Sequence, residues 1–253
     1  MGGLLLTPAI LNYFDGNWRP TMNTFGAFFL VLGVIWQILG KERNTVKTLV
    51  PEPVGTSASE FSLVKKAFSF REIWIAGIGF TGAMMAFSSF NSFFPTMALN
   101  FYDVSLSGSG LISAMYVLPG GFSGVIVAYY LKGVRGRAPI LALAGIIIAS
   151  TYCAMTITGL YPLLIIFAVL NGIGWGFFPI LYMVPFHLRG VQPREIAIAV
   201  AVVMSIANLG SSVGPALAGY MQESLGSLQI SLRIISLAPL TLVIAAVLLG
   251  KKK

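Results

Sequence analysis

Lysine and arginine are sorted along this chain, because almost all of them fall into alternate gaps between long apolar stretches. Of the 16 basic residues, only Arg19 and Arg233 fall on the other side of the bilayer. The sorted basic residues are Lys41, Arg43, Lys47, Lys65, Lys66, Arg71, Lys132, Arg135, Arg137, Arg189, Arg194, Lys251, Lys252 and Lys253. Short cytoplasmic loops of membrane proteins retain Lys and Arg. The sorting therefore predicts a polytopic membrane protein with cytoplasmic basic loops and a cytoplasmic C-terminus.

The apolar stretches are long enough to cross a bilayer as helices. A spanning helix needs about 20 residues, since the hydrocarbon core is about 30 Å thick and a helix rises about 1.5 Å per residue. An opening stretch, Gly2–Phe14, is shorter and is interpreted as the end of a helix whose start is absent. The predicted spans are Met22–Leu39, Ile73–Leu99, Ser109–Leu131, Pro139–Thr158, Tyr161–Phe186, Ile196–Tyr220 and Leu232–Leu249. The predicted fold class is all-α.

Composition excludes several classes of protein. The chain is 57% hydrophobic and 9% charged, whereas a soluble domain has about a quarter of its residues charged. The net charge of +8 belongs to loops beside apolar spans, so it does not indicate nucleic-acid binding. The single Cys153 gives no disulfide framework, and no Cys/His spacing fits a metal. No nucleophile has a base partner and no phosphate-binding glycine loop is present. We therefore predict no enzyme, no cofactor and no metal.

The chain divides into three parts. Residues 1–39 are predicted to end an N-terminal helical half, and residues 40–70 to form a cytoplasmic linker in which Glu60–Phe70 could be a short amphipathic helix. Residues 71–253 contain six spans in two sets of three. Because short loops join the spans, the two sets are inverted in topology relative to each other, as in many transporters.

Glycine and proline cluster at mid-depth in two of the predicted spans. Proline removes a backbone donor and glycine lets neighbouring helices approach, so such clusters favour bending or close packing. The alternative is that both residues are simply common in membrane helices. The candidate hinge and packing residues are Pro119, Gly120, Gly121, Gly210, Gly214 and Pro215.

Polar and aromatic side chains within the spans are candidates for lining a solute cavity. They cost free energy at mid-depth unless they face protein or water. For the amides the alternative is interhelical hydrogen bonding. The candidate substrate-binding residues are Asn91, Asn171, Trp175, Tyr116 and Asn208. The carboxylates fall at helix ends or in loops, and His187 is interpreted as an interface residue, so no ion-coupling site is predicted.

Several short segments of the chain resemble the major facilitator superfamily. Gly16-Asn17-Trp18-Arg19 resembles the turn before that family's sixth helix, and Asn208 through Gly219 is similar to the eleventh helix of many bacterial members. Gly136 and Arg137 match the basic turn between the eighth and ninth helices, but Gly133 stands where the family has Asp. Drug antiporters of the family carry a signature on their fifth helix, and Thr7–Asn12, which stands at that place in this chain, lacks it.

The resemblance implies the end of a fifth helix, the sixth, the central loop and a six-helix C-terminal bundle. It implies that the spans beginning near Ile73 and Tyr161 line a central cavity, while those near Ser109 and Ile196 flank the interface with the other half. Two functions stay open. The first is alternating-access transport of a small organic solute or anion at a prokaryotic inner membrane. The second is a non-transporting scaffold or accessory subunit, or a half-transporter that needs a separate N-terminal half.

Overall fold

The computed structural model describes residues 2–40, 60–130, 137–188 and 193–250. All the regular structure in these ranges is helical, which confirms the all-α prediction. Short 3-10 turns lie at Trp175–Phe177, Pro185–His187 and Ala238–Leu240. The helices are α1 Gly2–Tyr13, α2 Trp18–Leu39, α3 Glu60–Ser69, α4 Arg71–Tyr102, α5 Leu106–Tyr130, α6 Arg137–Met155, α7 Tyr161–Gly174, α8 Phe178–Tyr182, α9 Pro193–Leu225, α10 Leu228–Ile235 and α11 Thr241–Gly250.

Seven helical segments in the described parts of the chain are long and apolar enough to cross a membrane, as the sequence predicted. Two of them are interrupted. One runs from α7 through the Trp175–Phe177 turn into α8, and the other runs from α10 through the Ala238–Leu240 turn into α11. Pro179 and Pro239 lie in or beside these turns. Since proline cannot donate the helical hydrogen bond, the backbone changes pitch there without ending the span.

The two longest helices, α4 and α9, pack against each other more extensively than any other pair. A Cβ atom at Gly77 would lie 2.9 Å from the Ile206 side chain, so the two backbones are very close. The Thr81 hydroxyl donates to the Ile206 carbonyl at 3.0 Å. Small residues and hydroxyls thus let the backbones of α4 and α9 approach closely.

A second hydroxyl of α4 compensates for a proline in α9. Pro215 lies inside α9 and has no N–H to give the Ser211 carbonyl four residues earlier. The Ser88 hydroxyl donates to that carbonyl at 2.7 Å. A backbone oxygen that the proline leaves without its helical partner is therefore satisfied by the neighbouring helix.

The end of α9 differs from the sequence-based prediction. The gap between the predicted spans Ile196–Tyr220 and Leu232–Leu249 is confined to Gly226 and Ser227, because α9 continues to Leu225 and α10 starts at Leu228. Gly226 has a φ of +67°, which suits the residue after a helix C-terminus. Arg233, at the start of the predicted span Leu232–Leu249, lies on α10 and donates to the Thr156 carbonyl at 3.0 Å, just after α6 ends.

The predicted short helix of the linker is confirmed as α3, which packs against α9 and α4. Lys66 Nζ lies 2.7 Å from Glu195 Oε1 in the first turn of α9. The Trp74 indole donates to the Phe68 carbonyl at 2.8 Å. The rest of the predicted linker, residues 41–59, lies outside the described residues. Of the first two helices, α1 packs on α5, and the side chains of α2 are almost all exposed.

Candidate functional site

Two of the predicted binding residues meet across helices α4 and α5. The buried Tyr116 hydroxyl donates to Asn91 Oδ1 at 2.9 Å. The Asn91 amide nitrogen in turn donates to the Phe87 carbonyl at 3.1 Å, one turn earlier on α4. Asn91 keeps part of its surface exposed. The pair therefore presents an oriented amide at the edge of the bundle, with a phenol behind it.

Trp175 joins this pair through an aromatic bridge. The Phe87 ring lies 5.1 Å from the Trp175 ring and 6.3 Å from the Tyr116 ring, edge to face in both cases. Trp175 opens the 3-10 turn after α7 and is partly exposed, like Phe87. Three elements, α4, α5 and the turn after α7, thus converge on one cluster of Asn91, Phe87, Tyr116 and Trp175, which we call the aromatic-amide cluster.

Close packing of α5 against α7 fixes the position of Trp175. A Cβ atom at Gly172 would lie 2.9 Å from the Tyr116 carbonyl and 3.1 Å from the Pro119 side chain. A Cβ atom at Gly120 would lie 3.1 Å from Trp175 Cβ. Of the predicted hinge residues, Pro119 and Gly120 therefore serve this contact, whereas Gly121 has nothing within 4 Å of a Cβ position.

Asn171 is placed elsewhere. Its side chain is fully buried, and its amide nitrogen donates to Thr151 Oγ1 at 2.8 Å and to the Ile148 carbonyl at 3.3 Å. Both partners lie on α6, so in this structure the amide joins α6 to α7 and does not reach the aromatic-amide cluster. This is the interhelical arrangement that the sequence left open as the alternative.

Asn208 and the glycines near it belong to α9. Asn208 is exposed, and the structure does not bring it to the cluster on α4, α5 and α7. A Cβ atom at Gly210 would overlap the Thr81 carbonyl oxygen, and one at Gly214 would overlap the Met85 carbonyl oxygen. Both glycines therefore allow the α4–α9 contact. Pro215 lies inside α9 beside them.

The predicted loop motif consists of Gly136 and Arg137. Gly136 lies outside the described residues, and Arg137 is the first residue of α6, where only its backbone is described. The side chain of His187 also lies outside the described part of the structure.

Sequence reasoning missed two aromatic residues of the site. Phe87 lies four residues before Asn91 and therefore on the same helix face, which is a signal that could have revealed it. Tyr152 on α6 is fully buried, with its ring stacked 4.1 Å from Phe90 and 6.1 Å from Tyr116. Its position beside the cluster depends on how α6 packs, which the sequence does not indicate.

The chemistry of the aromatic-amide cluster is uncharged. An amide, a phenol and an indole can exchange hydrogen bonds with hydroxyl groups, and the aromatic faces can pack on the apolar side of a small ring or chain. Such a combination of apolar walls and few polar groups is typical of sites for small organic molecules. The fold is that of a polytopic α-helical membrane protein.

The family is established by comparison with known proteins. The family model of the Major Facilitator Superfamily matches residues 1–189. The chain belongs to this superfamily, which identifies it as a transporter-family protein and not an enzyme.

Two relatives are similar over part of their length. A "Probable L-galactonate transporter" of Escherichia coli (strain K12) is 25% identical over 158 residues, which is 57% of this chain and 34% of the relative. An uncharacterized protein of Campylobacter jejuni is 26% identical over 177 residues, 68% of this chain and 52% of that protein. The chain thus spans about a third and about half of the length of these relatives.

A solved structure with a similar fold comes from another transporter. It is a bacterial homolog of the human lysosomal transporter Spinster, crystallised in an inward-facing and unoccupied conformation. It matches with a TM-score of 0.51 at 15% identity, over 79% of this chain and 51% of that chain. At this identity the likeness concerns the fold alone.

Proposed function

We propose that the chain supplies one wall of the solute pathway in a secondary transporter that works by alternating access. The observation that carries the proposal is the Asn91–Tyr116 hydrogen bond beside Phe87 and Trp175. These side chains contact one another, yet Asn91, Phe87 and Trp175 keep part of their surface exposed. Polar groups that stay accessible within a membrane bundle are typical of solute pathways.

The proposed solute is a small organic molecule or anion that carries hydroxyl groups. Hydroxyls can bind the Asn91 amide and the Tyr116 phenol, and the carbon skeleton can pack on the Trp175 ring. Support comes from the relative that carries the name L-galactonate transporter, since L-galactonate is a polyhydroxylated acid. The cluster itself contains no cation, so a carboxylate of the solute would be bound by other residues.

The proposed location is a prokaryotic inner membrane with the C-terminus on the cytoplasmic side. The sorting of Lys and Arg supports this orientation, and both named relatives are bacterial.

Binding of L-galactonate to the purified full chain in lipid nanodiscs tests the proposed function. Because each variant removes one hydrogen bond or one ring face, Asn91→Ala and Trp175→Ala should each weaken the affinity about three- to tenfold. Asn100→Ala is the matched control, since Asn100 is an exposed asparagine at the end of the same helix α4. Titration calorimetry measures the affinities. Equal affinity in the parent chain, Asn91→Ala and Trp175→Ala would contradict the site, and no binding by the parent chain would contradict the solute class.

A further inference from the structure

Arg233 is a cation in a place where membrane proteins have few charges. It lies on α10 within the apolar span Leu228–Gly250 and is partly buried. Because a helix rises about 1.5 Å per residue, its backbone lies about 8 Å inside the start of that span. A charged side chain at this depth needs polar partners. The partners of Arg233 therefore indicate what the position is for.

The structure gives Arg233 two hydrogen bonds, and both go to Thr156. Nε donates to Thr156 Oγ1 at 3.3 Å, and Nη2 donates to the Thr156 carbonyl at 3.0 Å. The Thr156 hydroxyl donates its own proton to the Cys153 carbonyl at 2.7 Å, so its oxygen can accept from Arg233. Gln229 also donates to the Thr156 carbonyl, at 2.7 Å. The guanidinium therefore has a defined orientation at the end of α6.

These two bonds use only one edge of the guanidinium. Nε and Nη2 form the side edge of the planar group, and its end edge carries further N–H groups on Nη1 and Nη2 that point away from Thr156. Within the described part of the chain, no carboxylate forms an ion pair with Arg233, and no residue other than Thr156 accepts a hydrogen bond from it. The end edge is therefore available to an anion that accepts two parallel hydrogen bonds.

Arg233 borders an apolar stripe on the outside of α10. The opposite face of this helix is buried, and α10 packs there against α9 and α4. Residues three and four apart lie on one side of a helix, and the side chains at this spacing on the outer face are about half exposed. They are Ile230, Ile234 and Leu237. In a bundle of membrane-spanning helices, such an outer apolar face suits the chains of lipids.

Arg233 lies near the end of α4 that is remote from the Lys66–Glu195 ion pair. The hydroxyl of Tyr102, the last residue of α4, accepts from Gln229 at 3.3 Å, whereas Lys66 and Glu195 meet where α4 begins. A long arginine side chain extends from a buried backbone towards the membrane interface. Arg233 is therefore within reach of lipid head groups in the leaflet opposite the predicted basic loops.

We propose that the end edge of Arg233 binds the phosphate of a glycerophospholipid, whose acyl chains pack on the apolar stripe of α10. Two parallel N–H groups of arginine match two phosphate oxygens, and the phosphate supplies the negative charge that no described carboxylate supplies. The site lies on the outer surface of the bundle and is independent of the proposed solute site. Because the lipid binds the folded chain, it also stabilises the contact of α10 with the end of α6.

Native mass spectrometry of the full chain, purified in detergent and titrated with dioleoyl phosphatidylglycerol, tests the site. Arg233→Gln should weaken the affinity for the first bound lipid about five- to tenfold, as expected for the loss of one cation–phosphate contact. Arg19→Gln is the matched control, because Arg19 is the other basic residue predicted on this side and lies over the Trp18 ring. Its affinity should equal that of the parent chain. Dioleoylglycerol, which has the same chains but no phosphate, should bind the parent chain as weakly as phosphatidylglycerol binds Arg233→Gln.

A second pair of variants leaves Arg233 and Thr156 in place. Ile230→Glu puts a carboxylate one turn before Arg233, where it can pair with the end edge of the guanidinium. This variant should weaken the affinity for phosphatidylglycerol about as much as Arg233→Gln does. Ile230→Gln is its control and should bind the lipid like the parent chain. Both variants should fold, because the Ile230 side chain is 45% exposed.

The possible results separate a lipid site from its alternatives. Equal affinity of the parent chain and Arg233→Gln would overturn the proposal. If Arg233→Gln did not fold, equal affinity of Ile230→Glu and Ile230→Gln would overturn it. Dioleoylglycerol bound as tightly as phosphatidylglycerol would indicate apolar packing alone, and displacement of the lipid by an equal concentration of inorganic phosphate would indicate a free-anion site. Either result would also contradict the proposal.

Discussion

At the scale of single residues, Asn171 shows how an amide can stabilise a membrane bundle. It is fully buried, and both hydrogen bonds of its amide nitrogen go to α6. Hydrogen bonds between membrane helices contribute about 0.5–2 kcal/mol, because the separated helices also find polar partners. The contribution of Asn171 should therefore be measurable but modest.

Replacing Asn171 by Ala should lower the free energy of unfolding by about 0.5–2 kcal/mol. Unfolding in a mixed-micelle SDS titration measures the change. Asn100→Ala, at an exposed asparagine of α4, is the matched control and should leave the stability unchanged. Unchanged stability of Asn171→Ala would show that the bonds to Thr151 and Ile148 do not hold α6 to α7.

The residue scale is also where the sequence predicts least. It indicated that Asn91, Asn171 and Trp175 lie within spans, because apolar residues surround them. It could not indicate which neighbouring helix each side chain faces. Successive helical residues turn by about 100°, and packing sets the rotation of each helix about its axis. Gly172 against α5 and Gly174 against α6 determine that rotation for α7. As a result, Trp175 points to Phe87 and Asn171 to α6.

At the scale of helices, the crossing of α4 and α9 depends on glycines that face carbonyl groups. A Cβ atom at Gly210 would overlap the Thr81 carbonyl oxygen, whereas a Cβ atom at Gly219 on the same helix would meet nothing within 4 Å. Backbone carbonyls cannot move aside as a flexible side chain can. An added methyl group should therefore lower the free energy of unfolding at Gly210 but not at Gly219.

Gly210→Ala should lower the free energy of unfolding by about 1–3 kcal/mol, as expected for overpacking. Gly219→Ala should be neutral or slightly stabilising, because alanine favours the helix by about 1 kcal/mol. Both variants gain the same helix propensity, so the difference between them reports the lost α4–α9 contact. Thermal unfolding in detergent measures it, and equal midpoints would argue against the close crossing.

Helix ends were predicted less well than helices. We ended the sixth predicted span at Tyr220 because polar residues follow, yet α9 continues through Gln222 and Glu223 to Leu225. Helical hydrogen bonding does not require apolar side chains, and the helix ends where Gly226 adopts a positive φ. Hydropathy measures the part of a helix that is apolar, whereas the backbone determines where it stops.

At the scale of the whole molecule, the basic loops predict the orientation in the membrane. A fusion of green fluorescent protein after Lys253 should fluoresce in a bacterial host, and alkaline phosphatase at the same point should be inactive, since the C-terminus is expected in the cytoplasm. Fusions after Gly159, in the turn that follows α6, should give the opposite pair of results. Active phosphatase at the C-terminus would contradict the predicted orientation.

The number of spans and the helical class could be predicted from the sequence, because each span is a local property of about 20 residues. The association of helices distant in sequence could not. Ser88 and Ser211, for example, meet only because α4 and α9 lie side by side. Nothing in the composition of either helix specifies that partner.

That hydrogen bond also constrains the order in which the chain can change during evolution. While Pro215 is present, the Ser211 carbonyl depends on Ser88. Loss of the serine first would leave a backbone oxygen without a donor inside the membrane. If the proline is replaced first, residue 215 regains its N–H and the serine becomes dispensable. The two positions are therefore epistatic, and one mutational path between the same two sequences is easier than the other.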